Sequence, residues 1–160
     1  LKWNLDETYI KVKGAWLYLY RAIDSNGDTV EFYFSKDRDL TAAKRFLRKA
    51  LARHGRPERI TIDGSETNRI ALLQSDTENR LRQNGKPIAI RSSKYMNNNI
   101  EQDHRCIKRR TRSMLGFKSE TAASITLYGI ELIHMMRKQQ GIFSDADALS
   151  IKQQFEALAA

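Results

Sequence analysis

Alternation of character along the chain dominates its first third. From Leu5 to Lys13, Asp6, Thr8, Ile10 and Val12 fall on one side, which is the two-residue period of a strand. Ala15 to Ile23 (AWLYLYRAI) is apolar on both faces and predicts a strand covered on both sides. Asp24-Ser25-Asn26-Gly27-Asp28 reads as a turn, with Asn-Gly as a strong hairpin signal, and Thr29 to Ser35 returns with Val30, Phe32 and Phe34 on one face. Together these segments predict a three-stranded antiparallel meander. The period then becomes helical: Thr41 can cap a helix carrying Ala43, Phe46, Leu47, Ala50 and Leu51, which Gly55 and Pro57 stop. Arg59 to Asp63 predicts a short strand with Gly64-Ser65 as the turn after it, and Glu66 to Arg82 a weaker helix. Gly85-Lys86-Pro87 is a break, and Ile88 to Ile90 a last short strand. Helices are predicted from Asn98 to Arg112 and from Ser119 to Gln140, the second with Gly141 as its C-cap. A short amphipathic helix bearing Ile151, Phe155 and Leu158 closes the chain.

The resulting order, β-β-β-α-β-α-β-α-α, is a mixed-sheet α/β layout, and the ribonuclease H-like fold has that order. A chain of 160 residues corresponds to one domain, with no internal repeat or linker visible. No apolar run approaches the ~20 residues that span a bilayer, so a transmembrane protein is excluded. No charged n-region and apolar h-region opens the chain, and Cys106 is the single cysteine, which excludes an internal disulfide or a cysteine-rich zinc site. The cytoplasm is the expected compartment.

Charge adds the first functional direction. The chain carries 28 Lys+Arg against 19 Asp+Glu, net +9. From Arg91 to Lys118 there are eight basic and two acidic residues, so 28 residues hold +6 while the other 132 share +3. Such a block fits a polyanion surface, with a solvated helix face as the alternative. Arg105, Lys108 and Arg112 follow Glu101 at i+4, i+7 and i+11 and form one stripe, while Ile100, Ile107 and Met114 can face the core. Pairing of Glu101 with Arg105 would explain one pair of that stripe but not the whole of it.

Three carboxylates stand out by position. Asp6 lies in the first strand. Asp63 ends the fourth strand, where open α/β sheets place their sites. Glu101 lies in the first turn of the Asn98 helix. If strands one and four are neighbours and the helix packs across them, the three can hold two divalent ions about 3.5–4 Å apart, which favours in-line attack at phosphorus. Magnesium takes a few hard oxygen ligands and keeps its remaining waters. On spacing alone each also has a structural role open to it, and spacing favours that role: a strand-end carboxylate for Asp6, a turn cap for Asp63, and a capping box over Asn98 to Glu101. His54 reads as a surface residue beside a helix end and His104 as a partly buried residue next to the site. His134 reads as core, and Cys106 as a packing thiol.

Residues 6–24 (DETYIKVKGAWLYLYRAID), 61–64 (TIDG) and 95–110 (YMNNNIEQDHRCIKRR) resemble a DDE transposase of the insertion-sequence-six family. MLGFK at 114–118 and HMMRK at 134–138 are similar to it too, so the match runs in order from Leu1 to Lys138. The resemblance implies a ribonuclease H-like catalytic domain over 1–140 and a helical extension over 141–160. Asp6, Asp63 and Glu101 would then be both the catalytic triad and the metal ligands, with Mg²⁺ as cofactor and Mn²⁺ as a substitute. It also implies cleavage at transposon ends, transfer of the freed 3′-hydroxyl into target DNA, and a homodimer in the active complex. DNA contacts are expected from Lys94, Arg105, Lys108, Arg109 and Arg112, and the expected place is the bacterial cytoplasm, at the nucleoid when bound to DNA. Members carry an N-terminal helix-turn-helix segment that this chain, starting at Leu1, is expected to lack as a fragment. A catalytically silent DNA-binding remnant and an unrelated ribonuclease H-like nuclease are the alternative readings.

Overall fold

The computed structural model describes residues 1–83, 85–93, 95, 97–141 and 149–159. The meander forms as expected, from β1 (Lys2–Val12), β2 (Ala15–Asp24) and β3 (Thr29–Ser35). Then follow α1 (Leu40–His54), β4 (Arg59–Ile62), α2 (Glu66–Gln83), β5 (Ala89–Ser92), α3 (Asn98–Arg112), α4 (Glu120–Arg137) and α5 (Ile151–Ala159). The five strands order as β3-β2-β1-β4-β5, with β1 antiparallel to β2 and parallel to β4. Strands one and four are therefore neighbours, as the sequence reading required.

The sheet is covered on both faces, which explains why β1 and β2 carry apolar residues on both sides. On one face Trp3, Leu5, Tyr20, Ile60 and Ile62 meet Phe46 and Leu47 of α1 and Leu72 of α2. On the other, Ile10, Val12, Leu17 and Leu19 meet Ile107 of α3 and Ala123 and Leu127 of α4. Burial of each large side chain stabilises by about 1.5–3 kcal/mol. The period-2 rule thus assigns Leu5 to the α1/α2 face and Asp6 to the α3/α4 face.

Several local expectations are corrected. The cap of α1 is Asp39, whose carboxylate accepts from Ala42 N at 2.8 Å, so Thr41 lies inside the helix. Strand β5 begins one residue later than expected and runs to Ser92. Helix α4 stops at Arg137 with Lys138 as its C-cap, so Gly141 has no capping role. Met114 lies beyond the end of α3 and is exposed, and Cys106, expected to pack, is exposed too. In α5 the apolar side chains Phe155 and Leu158 face solvent, while Gln154 is buried. Its Nε2 donates to the carbonyl of Met136 at 3.1 Å, a second bond to a carbonyl that also accepts from Gln139 N at 3.0 Å, and so ties α5 to the end of α4.

Candidate active site

The parallel pairing of β1 with β4 sets the geometry. Trp3 pairs with Ile60 and Asn4 with Thr61, and partners in one register share a face. Carried past the end of the ladder at Asn4 and Thr61, the same register puts Asp6, midway along β1, and Asp63, just beyond the carboxyl end of β4, on one face. Beyond β4, Asp63 turns the chain: its Oδ1 accepts from Ser65 N at 3.0 Å, and Gly64 takes a φ of 96°, where a side chain would be strained. The turn role considered for Asp63 is thus real and compatible with a carboxylate facing Asp6.

Helix α3 lies over the same face and brings Glu101. Its start is fixed by Asn97, fully buried, whose Nδ2 donates to the carbonyl of Leu5 at 3.0 Å. Asn97 is the N-cap residue and makes no side-chain cap bond, so the capping box over Asn98 to Glu101 is not formed. Glu101 is exposed and does not pair with Arg105.

Electrostatics ties the three acids together. Burial, then the charges of Glu7 and Asp63, and finally that of Glu101, push the Asp6 carboxyl up to about 7, against one lowering contact from Glu7 N. That contact is a hydrogen bond of 2.9 Å to Oδ1. His104 Nδ1 stands 3.7 Å from Asp6 Oδ2. Burial, Arg21 and Lys108 hold His104 down to about 3, so this neighbour is a neutral imidazole and the contact is no ion pair. His104 lies buried beside the site, as read from the sequence. Among the described residues no three His, Cys, Asp or Glu side chains already stand together as a metal-ligating group. Neighbouring carboxylates repel, and a hard cation bound among Asp6, Asp63 and Glu101 would offset that repulsion. The donor set, three oxygen ligands without a Lys or Arg partner, fits such an ion.

A pH consequence follows for the metal-free chain. The folded Asp6 carboxyl titrates above its ordinary 3.8, so its protonated form adds stability that is complete below about pH 4 and lost as pH rises through about 7. The melting temperature of the native chain minus that of Asp6→Asn is expected to fall between those values. A flat difference would show that Asp6 is not in this environment.

The basic residues on α3 behave as a surface. Arg105, Lys108, Arg109 and Arg112 are all exposed, whereas Lys94 lies outside the described residues. Sequence reasoning missed two clusters. Glu7, on the α1/α2 face, is bound by Arg38 Nε and by Asn68 Nδ2, the latter at 2.9 Å. Arg21, the ladder partner of Asp6, is fully buried, with Nε 2.6 Å from Glu131 Oε1 and Nη2 2.6 Å from Asp103 Oδ2. Burial pushes the Asp103 carboxyl up, but His134, Arg21 and Lys138 outweigh it and hold Asp103 below the usual carboxylate range. His134, read as core, is instead an ion-network residue 2.8 Å from Asp103. One arginine in an otherwise apolar strand was the available signal, because a charge in such a run requires a partner.

With this geometry in place, comparison with known proteins is decisive. The family model described as a DDE domain matches residues 1–140. The chain belongs to this family. The DDE domain is 41% identical over 139 residues to the transposase for insertion sequence-like element IS431mec of Staphylococcus aureus, covering 86% of this chain and 58% of the relative. The same figures hold for the transposase for insertion sequence element IS257 in transposon Tn4003, also of Staphylococcus aureus. The resemblance to insertion-sequence-six transposases therefore holds over most of the chain, which spans 58% of the length of these curated relatives. Among solved structures, the HTLV-2 integrase catalytic core domain in complex with magnesium superposes with a TM-score of 0.50 at 19% identity, covering 68% of this chain and 66% of that one. The simian T-cell lymphotropic virus intasome in complex with PP2A regulatory subunit B56 gamma gives 0.52 at 19% identity, over 79% of this chain and 46% of that one. At this identity the likeness shows the fold, and the DDE domain has the ribonuclease H-like architecture expected from its element order.

Proposed function

We propose that the chain is the catalytic domain of a DNA transposase, carrying out metal-dependent cleavage at transposon ends and strand transfer into target DNA. The observation that carries this reading is the placement of Asp6 and Asp63 on one face of the neighbouring strands β1 and β4, with α3 over that face, where the charges of Asp63 and Glu101 both act on a half-buried Asp6. Asp6, Asp63 and Glu101 would hold Mg²⁺, or Mn²⁺ in its place. Such ions activate the attacking oxygen and stabilise the leaving one. The protein's own part is to present two carboxylates from the sheet and one from α3 above it, and to hold DNA beside them. Arg105, Lys108, Arg109 and Arg112 contact phosphates, and Lys94 belongs to the same basic segment. Residues 1–140 form the catalytic unit and 141–160 a helical extension. Two copies hold two DNA ends in the active complex, in the bacterial cytoplasm at the nucleoid. Among the described residues no helix is long and apolar enough to cross a membrane.

The test is melting temperature against divalent metal. At a hundred-fold excess over the dissociation constant, binding adds about 2.7 kcal/mol, which raises the melting temperature of a chain this size by roughly 5–10 °C. Asp63→Asn is expected to remove that shift. No shift in the native chain, or an equal one in Asp63→Asn, would defeat a carboxylate metal site.

A further inference from the structure

The basic stripe of α3 leads away from the carboxylates into a second feature. Strand β1 pairs with β4 only over Lys2 to Asn4, so beyond Asp6 that edge of β1 has α3, not a strand, beside it. The helix is fastened at both ends: Asn97 bonds Leu5 O, and after the helix Phe117 N donates to Lys11 O while Lys13 N donates to Phe117 O. Gly116 permits this closure, since it has a φ of 98° and a Cβ there would meet Lys11 O at 3.3 Å.

At the far end lies a cavity of about 630 Å³ lined by Tyr9, Lys11, Trp16, Lys108, Arg112 and Phe117, among others. Trp16 is 57% exposed and Tyr9 45%, their rings edge-on at 6.3 Å, with Lys11 Nζ 5.9 Å above the indole. Among the described residues Lys11, Lys108 and Arg112 pair with no carboxylate, whereas Glu7, Glu31, Glu78 and Asp103 each hold a basic partner. Glu101, Lys108 and Arg112 share one stripe of α3, and the eleven-residue step from Glu101 to Arg112 spans about 17 Å. The stripe thus leads along α3 from Glu101 to the cavity, where Tyr9, Lys11 and Trp16 come from the face of the β1–β2 hairpin opposite Asp6.

We propose that this cavity binds unpaired deoxynucleotides of the strand whose phosphate lies at Asp6, Asp63 and Glu101, with a base stacked on Trp16 and phosphates on Lys11, Lys108 and Arg112. The proposal rests on the DNA reading above for the identity of the polymer and adds that part of it is held single-stranded. An intact duplex offers these cations its phosphates but keeps its bases stacked inside, leaving the exposed indole unused. Aromatic faces beside unpaired cations suit splayed bases of any sequence. Lys11 is long and flexible, so its ammonium can move from the indole to a phosphate as the base arrives.

Trp16 supplies its own probe. The chain has two tryptophans, and Trp3 is fully buried. The full chain is titrated with a duplex carrying a single-stranded 3′ thymidylate tail, with the same duplex blunt, and with an oligoglutamate peptide, following tryptophan fluorescence and affinity. The tail is expected to quench fluorescence and add affinity, with blunt duplex and peptide leaving the emission unchanged. Trp16→Ala is expected to weaken tailed-duplex binding about 5- to 150-fold and to leave blunt-duplex binding alone, and Trp16→Phe to keep most of the affinity. A tail that adds nothing, equal losses on both duplexes, or equal quenching by oligoglutamate would overturn the proposal. Failure of blunt duplex to bind while the tail still quenches would count against the phosphate stripe and leave the cavity assignment standing.

Discussion

Glu101→Gln is expected to remove metal-dependent strand cleavage while leaving DNA affinity intact or slightly higher. The substitution preserves the shape of a side chain that is exposed at the start of α3, so the fold has little reason to change. It does remove one of the three charges acting together at the site. A ligand that helps hold a metal pair supports several kcal/mol of transition-state stabilisation, so the rate should fall by about 10²–10⁴-fold. DNA held by phosphates responds in the opposite sense, because a negative charge leaves the basic stripe. Lys108→Ala makes the converse case: affinity should drop alike for an inverted-repeat end and for random DNA, and the salt slope should fall by about one. The measurements are cleavage of a labelled end in Mg²⁺ and a salt titration of binding for both variants. Native-like cleavage by Glu101→Gln would remove it from the triad. A strong preference of the native chain for the end would show that base edges, not phosphates alone, are read here.

The sequence made the fold legible where periodicity was strong. β3 and α3 have the expected bounds, and the adjacency of β1 and β4 followed from element order. Local ends were less legible because several residues could cap. Asp39 and Thr41 both suit a helix start, and only the path of the chain after β3 selects Asp39. The last helix misled for a different reason. Its apolar spacing predicts a buried stripe, yet the tertiary need is to serve the end of α4, and Gln154 meets it. At the site, residue type and strand position singled out Asp6 and Asp63, and the helical start singled out Glu101. The surroundings of Asp6 were hidden, since Glu7 and Arg21 find their partners far along the chain, at Asn68, Asp103 and Glu131. No local pattern reports such pairings.

The Arg21 network is expected to give the largest stability effect in the molecule. Arg21 and Glu131 are both fully buried, joined by two contacts at 2.6 and 3.0 Å, and Arg21 also reaches Asp103. This network binds β2, α3 and α4 to one another directly behind Asp6. Removing one partner leaves a buried charge short of compensation, so Glu131→Leu should cost about 3–5 kcal/mol. For a chain of this size that lowers the melting temperature by roughly 6–20 °C. Replacing both, as Arg21→Met with Glu131→Leu, should recover much of the loss, because the uncompensated charge is gone and Asp103 keeps Lys138 at 2.7 Å and His134. The double variant should therefore melt above Glu131→Leu alone. The two also separate stability from site geometry. Asp103 lies two residues after Glu101 on α3, and without Arg21 that helix loses its direct tie to the strand bearing the ladder partner of Asp6. A double variant that regains stability but still binds divalent metal weakly, by melting shift, would identify the network as what positions Glu101. If Glu131→Leu melts within a degree or two of the native chain, the buried pair carries none of this energy, and α3 must be held by Asn97 and the Ile107 contacts instead.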